Sequence, residues 1–209
     1  MGHTIPFPIV QPWGFRASPL VILICLRRLS YARGLMVQTL PEGYDIRYTE
    51  ESDRKWLKEW LLSPQVLHWF PMSEGTELEI AINGWIGFSR YEASLTALVH
   101  GEPCSIGTLY LMPYKKVAHE CLIKLIVAPK WKHQGIGTSM MKNLMHLAKN
   151  KFGIELAYIE IVEGNPLEQI ARNLGFAFMV RQENFFKDKE AYYARLLYDV
   201  DLMTNPHIQ

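Results

Sequence analysis

Apolar and polar positions can be read as elements from residue 44 onward. Tyr44-Asp-Ile-Arg-Tyr48 alternates and predicts a half-buried strand. Trp56, Leu57, Trp60 and Leu61 recur at helical spacing, with Thr49 or Ser52 placed to cap that helix and Asp53 near its positive end. Ser63-Pro64 breaks it, and Pro64 suits the first turn of a short second helix through Trp69. Thr76-Glu-Leu-Glu79 has the form of a capping box and opens a helix towards Arg90. The pattern then turns to strands. Leu95–Val99 and Cys104–Met112, on either side of the turn His100-Gly-Glu-Pro103, predict an antiparallel hairpin. A third strand, Ala118–Val127, ends in Cys-Leu-Ile-Lys-Leu-Ile-Val, apolar enough to lie near the centre of a sheet covered on both faces. Pro129 stops it. A glycine-bearing loop leads into a helix from Gly137 to Lys151 with an apolar face of Met140, Met141, Leu144, Met145 and Leu147, ended by Phe152-Gly153. A strand at Leu156–Val162, a short helix at Pro166–Leu174 and strands at Phe176–Arg181 and Ala191–Leu202 complete the series. The order predicts mixed α and β around one sheet.

The 209 residues, 49% hydrophobic, suffice for one core and exclude wholesale disorder. The reading divides them into a basic leader (1–40), one domain (41–203) and a short tail (204–209). The leader's apolar run, Leu20–Leu26, is far shorter than the ~20 residues of a membrane span. Arg27 and Arg28 follow that run instead of preceding it, unlike a secretory signal. An organellar transit peptide, a weak membrane-surface anchor and an extension upstream of a true start at Met36 all fit the leader. Net charge is +1, so no global field draws nucleic acid or an anionic membrane. The charge is uneven: residues 1–41 carry four arginines and no acid, leaving 18 basic against 21 acidic groups, a charge of −3, in the rest. Cys25, Cys104 and Cys121 are odd in number without C-x-x-C spacing, which suits a reducing, cytoplasmic interior and argues against both a disulfide framework and a zinc site. His68, His100 and His146 lack metal spacing too, so no metal is expected.

The chemistry concentrates in Val127-Ala-Pro-Lys-Trp-Lys-His-Gln-Gly-Ile-Gly-Thr-Ser139. A strand enters a loop made basic by Lys130, Lys132 and His133, turns through Gly135 and Gly137, and becomes a helix. Glycines admit close approach to the backbone, and the free N–H groups of the helix start point into the same space, an arrangement that binds phosphate. No Lys-Ser/Thr follows the second glycine, so this is not a nucleotide P-loop, and Met140 excludes the dinucleotide fingerprint.

This segment resembles the central motif of the GNAT superfamily of N-acetyltransferases, Q/R-x-x-G-x-G/A after a strand ending in V-x-P. Here it reads Lys132-His-Gln-Gly135-Ile-Gly137 after Val127-Ala-Pro129, with Lys for Gln/Arg and His133 where Gly is frequent. The family's N-x-x-A-x-x-L-Y-x-K-x-G-F is similar to Asn165 through Gly175-Phe176, one residue shorter and with Ala171 at the usual tyrosine. The resemblance implies one α/β (α+β) domain with a mixed, mostly antiparallel sheet flanked by helices and a splayed strand at the cofactor. It implies acetyl-CoA as co-substrate, with its pyrophosphate on Lys132, His133, Gln134, Gly135, Ile136, Gly137 and Thr138. Its pantetheine would add along Leu125, Ile126 and Val127, and its lower arm would meet Asn165.

Acetyl transfer needs a neutral amine, a stabilised oxyanion and a reprotonated thiolate. Ile159-Glu160-Ile161 with Asn165 resembles the L-E-V-x-x-x-N of protein-acetylating members, which implies Glu160 as base; the plain alternative is a strand residue facing solvent. Glu120, beside His119, is the second candidate, one residue before the family's register, which Cys121 occupies. Tyr192, Tyr193 and Tyr198 are the substitutes for the missing tyrosine as acid, with plain packing as the alternative for each, and water is the other source. Asp53 through Trp69 resembles the first helices of members acting on aminoglycosides, siderophore precursors or ribosomal protein N-termini, without choosing among them. The expected partner is an amine acceptor, small molecule or protein N-terminus, for a monomer or homodimer with no nucleic acid and no membrane span. A non-catalytic acyl-CoA-binding module on the same fold is the alternative.

Overall fold

The computed structural model describes residues 39–208; nearly all of the leader lies outside them. The element order is β1 (Tyr44–Tyr48), α1 (Arg54–Leu62), α2 (Pro64–Leu67), α3 (Thr76–Gly87), β2 (Ser94–Val99), β3 (Glu102–Leu111), β4 (Glu120–Val127), α4 (Ile136–Phe152), β5 (Leu156–Val162), α5 (Leu167–Asn173), β6 (Ala177–Asp188) and β7 (Ala191–Asp201). The strands form one seven-stranded sheet in the order β1-β2-β3-β4-β5-β7-β6. Every neighbouring pair is antiparallel except β4 and β5.

The two faces of the sheet carry separate cores. Met140, Met141, Leu144, Met145 and Ala148 of α4 are fully buried against Cys121, Ile123, Leu125, Ile159 and Ile161. Gly107 on β3 lets α4 lie close, since a Cβ there would run into Leu144. On the opposite face Leu57, Trp60 and Leu61 of α1 and Leu78, Ile82, Trp85 and Ile86 of α3 pack on Ile106 and Ile126. Each large side chain buried this way stabilises the fold by about 1.5–3 kcal/mol.

Several local expectations are replaced. Neither Thr49 nor Ser52 caps the first helix: the Thr49 hydroxyl meets Thr96 (3.0 Å), and the Asp53 carboxylate reaches back to the Glu50 N–H (2.9 Å). Thr76 is inside α3 behind Gly75, and the Glu77 carboxylate accepts from the Ser73 N–H (2.8 Å). α2 stops at Leu67, and α3 gives way to a 3-10 turn at Phe88–Tyr91. β6 runs on to Asp188, because β7 offers it a partner well past Arg181. His100 and Gly101 both have positive φ (51° and 81°), as a two-residue hairpin turn requires. Gly153 ends α4 in the left-handed region, its N–H bonding Ala148 and Lys149 carbonyls. Of the segment read as a tail, Asn205 donates to the Leu174 carbonyl (2.8 Å) and Ile208 is buried in the α4-side core.

Candidate active site

β4 and β5 pair only at Glu120, Cys121 and Leu122, opposite Leu156, Ala157 and Tyr158. Beyond Leu122 the strands part, while β3 stays paired with β4 as far as Val127. The Ala128 N–H donates to the Cys104 carbonyl (2.9 Å) and the Ile126 carbonyl accepts from Ser105 Oγ (2.7 Å). Even-numbered residues at this end of β4 therefore turn their backbone to β3, and strand alternation turns that of Ile123, Leu125 and Val127 into the gap. Ile126, grouped with Leu125 and Val127 in the sequence, faces β3 with its backbone and the α1–α3 core with its side chain.

At the mouth of the gap the chain passes through a 3-10 turn at Pro129–Trp131 into the glycine loop. His133 (φ 61°) and Gly135 (φ 78°) are both left-handed, which curls the backbone into a concave nest before α4 starts at Ile136. The N–H groups of His133, Gln134, Gly135, Ile136, Gly137 and Thr138 have no acceptor among the described residues. They sit at the positive end of a 17-residue helix. Lys130 is spent on Glu102 (2.5 Å), whereas Lys132 has no carboxylate partner among the described residues. Gly137 is buried, and a Cβ there would meet Ile170 of α5 at 3.0 Å. Asn165 caps α5 by accepting from the Leu167 N–H (2.9 Å), which leaves its amide NH2 for other use. Strand edge, nest and Asn165 amide offer donors and acceptors matched to a diphosphate ester carrying amide groups.

Residues 38–176 match the model of the acetyltransferase (GNAT) family. The chain belongs to that family. It is an acyltransferase, and its open, mostly antiparallel sheet has the GNAT architecture. A comparison with curated protein sequences finds no match. Among solved structures, the acetyltransferase is similar to yncA of Salmonella typhimurium, determined with its cofactor acetyl-CoA (TM-score 0.68, 13% identity, 80% of this chain and 99% of that one). It is also similar to the ribosomal-protein-alanine N-acetyltransferase of Brucella melitensis (TM-score 0.63, 18% identity, 75% and 98%). RimJ of Mycobacterium smegmatis, in complex with CoA-disulfide, is a third (TM-score 0.64, 16% identity, 80% and 87%). At these identities the likeness is one of fold.

The α1–α3 side of the acetyltransferase's gap carries its titratable groups. Extending the β4–β5 register two residues past Leu122 and Tyr158 sets Lys124 opposite Glu160. Glu160 is exposed, alternates with the buried Ile159 and Ile161, and accepts from Arg195 of β7 (2.8 Å). Arg195 also bonds Gln182 (2.7 Å) and stacks on Phe185 (3.9 Å). Glu120 shares the face of Lys124 but stands at the paired end, about 13 Å before Lys124 at the usual strand rise, beside His119 (3.3 Å). The structure thus brings Glu160 to the gap and leaves Glu120 at the closed end. Ala171 is fully buried on the inner face of α5. Tyr198 is buried too, its hydroxyl donating to Glu168 (2.6 Å) and accepting from Arg172 (2.7 Å). Tyr192 is exposed, and Tyr193, on the same face as Arg195, lies edge-on to His68 (5.1 Å).

Lys124 and Arg195 escaped the sequence reading. Lys124 had a signal, as the lone cation inside an apolar run; Arg195 had none, because its nearness to Glu160 depends on β7 inserting beside β5. Among the described residues no group of three His, Cys, Asp or Glu side chains is placed to hold a metal, and no helix is long and apolar enough to cross a membrane.

Proposed function

We propose that the chain is an N-acetyltransferase that moves an acetyl group from acetyl-CoA to a primary amine, a protein N-terminus or a small molecule, directly within a ternary complex. The observation that carries this is the parting of β4 from β5 next to the run of unpartnered N–H groups at the start of α4. The nest and Lys132 suit the pyrophosphate, and the gap-facing backbone of Leu125 and Val127 suits the pantetheine amides. The co-substrate supplies the activated acetyl thioester. Glu160 takes the proton from the acceptor ammonium, directly or through water, so that the lone pair can attack. Arg195, on the β7 side of Glu160, pairs with one carboxylate oxygen and fixes its position. Cys104 and Cys121 do not compete as nucleophiles, since both are buried and burial pushes each thiol up to about 12, far from the thiolate an acyl-enzyme would need. Two free, buried cysteines also suit a cytoplasmic setting.

Release of CoA thiol from acetyl-CoA across a panel of amines and peptide N-termini tests the activity; binding of acetyl-CoA with no release over any acceptor would reject it. In the Glu160→Gln variant, turnover at pH 7 is expected to fall about tenfold to hundredfold, at or below the usual 10²–10⁴ of a general base because water can reach this half-exposed site. Affinity for acetyl-CoA should stay as it was. Unchanged turnover would remove Glu160 from the mechanism.

A further inference from the structure

Among the described lysines, Lys124 alone lies on an interior strand of the sheet. Lys58, Lys130 and Lys151 stand at the surface paired with Glu79, Glu102 and Glu92. Lys124 is half-buried on a central strand, in the first residue past Leu122 to share the face of Glu160, and has no carboxylate within salt-bridge distance among the described residues. The parting of the strands keeps it from Glu160. Its Nζ rests 4.5 Å from the centroid of the Tyr110 ring, whose hydroxyl end lies against Gly84 of α3. The amine therefore rests over β3, one strand away from the gap, in a weak contact it can leave to swing across β4.

We propose that Lys124 is itself an acetyl acceptor, taking the acetyl group from acetyl-CoA bound in the gap between β4 and β5. The inference rests on the acetyl-CoA reading of that gap. The N–H of Leu125, the next residue, faces the same space, so a thioester carbonyl seated on it lies within a side chain's reach of Nζ. Burial lowers the pKa of Lys124, and the Glu160 charge opposes that only in part, so the neutral amine is more populated than on an exposed lysine. Glu160, or water beside it, takes one proton from the ammonium. The Nζ lone pair then forms the bond to the thioester carbon, and the C–S bond breaks. The sulfur leaves with its electron pair and picks up a second proton from nitrogen, giving CoA thiol and ε-N-acetyl-lysine that keeps one N–H. No oxidant or further reactant is needed. The product removes a positive charge opposite Glu160, so the acceptor face becomes more negative.

The full chain, incubated with acetyl-CoA and no amine, is followed by intact mass and peptide mapping. The expected result is one acetyl group on Lys124, gained at least about tenfold faster than at any other lysine, as proximity to a bound donor requires. Excess CoA should suppress the gain, and urea-unfolded chain should show no preference for residue 124. Lys124→Arg, which keeps the charge over Tyr110, should take up no acetyl group at the fast rate. Label spread over surface lysines, with Lys124 no faster than they are, overturns the inference. Calorimetry with CoA separates the two readings. Binding without acetylation of Lys124 rejects self-acetylation alone, and absence of binding rejects both.

Discussion

Gly135→Asp is expected to weaken acetyl-CoA binding at least about 100-fold while leaving the fold intact. Gly135 is the N-cap of α4 and lies in the left-handed region, φ 78° and ψ −9°. Asp is among the side chains that tolerate that region, and it is a preferred N-cap, so the backbone cost is modest and partly offset by the new cap. The loss comes from occupancy. The new carboxylate would accept from the first N–H groups of α4, the donors that the diphosphate requires. It would also stand about 5 Å from a second negative charge, a repulsion of roughly 3 kcal/mol at the effective dielectric of such sites, which corresponds to about 100-fold or more in affinity. Gly135→Asn has nearly the same shape without the charge and should lose only about tenfold. Calorimetric titration with acetyl-CoA distinguishes these cases. Wild-type affinity in Gly135→Asp would remove the glycine loop from the cofactor site.

Asp53→Ala should cost about 1–3 kcal/mol of stability, the size expected when donors around a buried acceptor lose it while the freed Arg47 can still reach water. The Asp53 side chain is almost wholly buried where β1, α1 and β2 meet. It accepts from Arg47 through both oxygens (2.7 and 2.8 Å), from the Glu50 N–H (2.9 Å) and from the Thr96 hydroxyl (2.9 Å). Burial alone would raise its pKa; the Arg47, Glu50 and Thr96 bonds together outweigh burial and hold the carboxyl below its ordinary value. The sign of the pH dependence follows. Folding disfavours the proton, so the contribution is complete above the unfolded-chain value of about 3.9 and fades as pH falls through the lower folded value. Urea unfolding at pH 7 and in steps below pH 4 measures this. In Asp53→Ala, stability should respond less to acid over that range than in the wild type, and an equal response would show that the carboxylate is not the group involved.

Much of the fold could be read from periodicity because each element carries its own signal. β5 was bounded by its apolar run alone, and α4 by its methionine and leucine stripe and Gly153. Errors gathered where tertiary partners decide. β6 looks short in isolation, since it is exposed along nearly its whole length and its outer half shows little alternation, yet it extends because β7 supplies hydrogen bonds. Thr49 and Thr76 look like caps, but Thr49 is drawn into the sheet by Thr96, and Thr76 lies inside α3 behind the N-cap Gly75 while Glu77 ties back the preceding Ser73 N–H.

For the site the division is similar. Gly135, Gly137, the basic loop and the strand-to-helix order are local features, and a phosphate nest is a local structure, so one stretch of sequence was enough to find it and to point to the family. The acceptor face is not local. Glu160's ion-pair partner depends on β7 lying between β5 and β6, which brings Arg195 beside it. Whether Lys124 is a core lysine or a reactive one depends on where β4 and β5 stop pairing. A strand's face follows from its own alternation, but its neighbour across the sheet is chosen by burial summed over the whole domain, and only the folded chain expresses that sum.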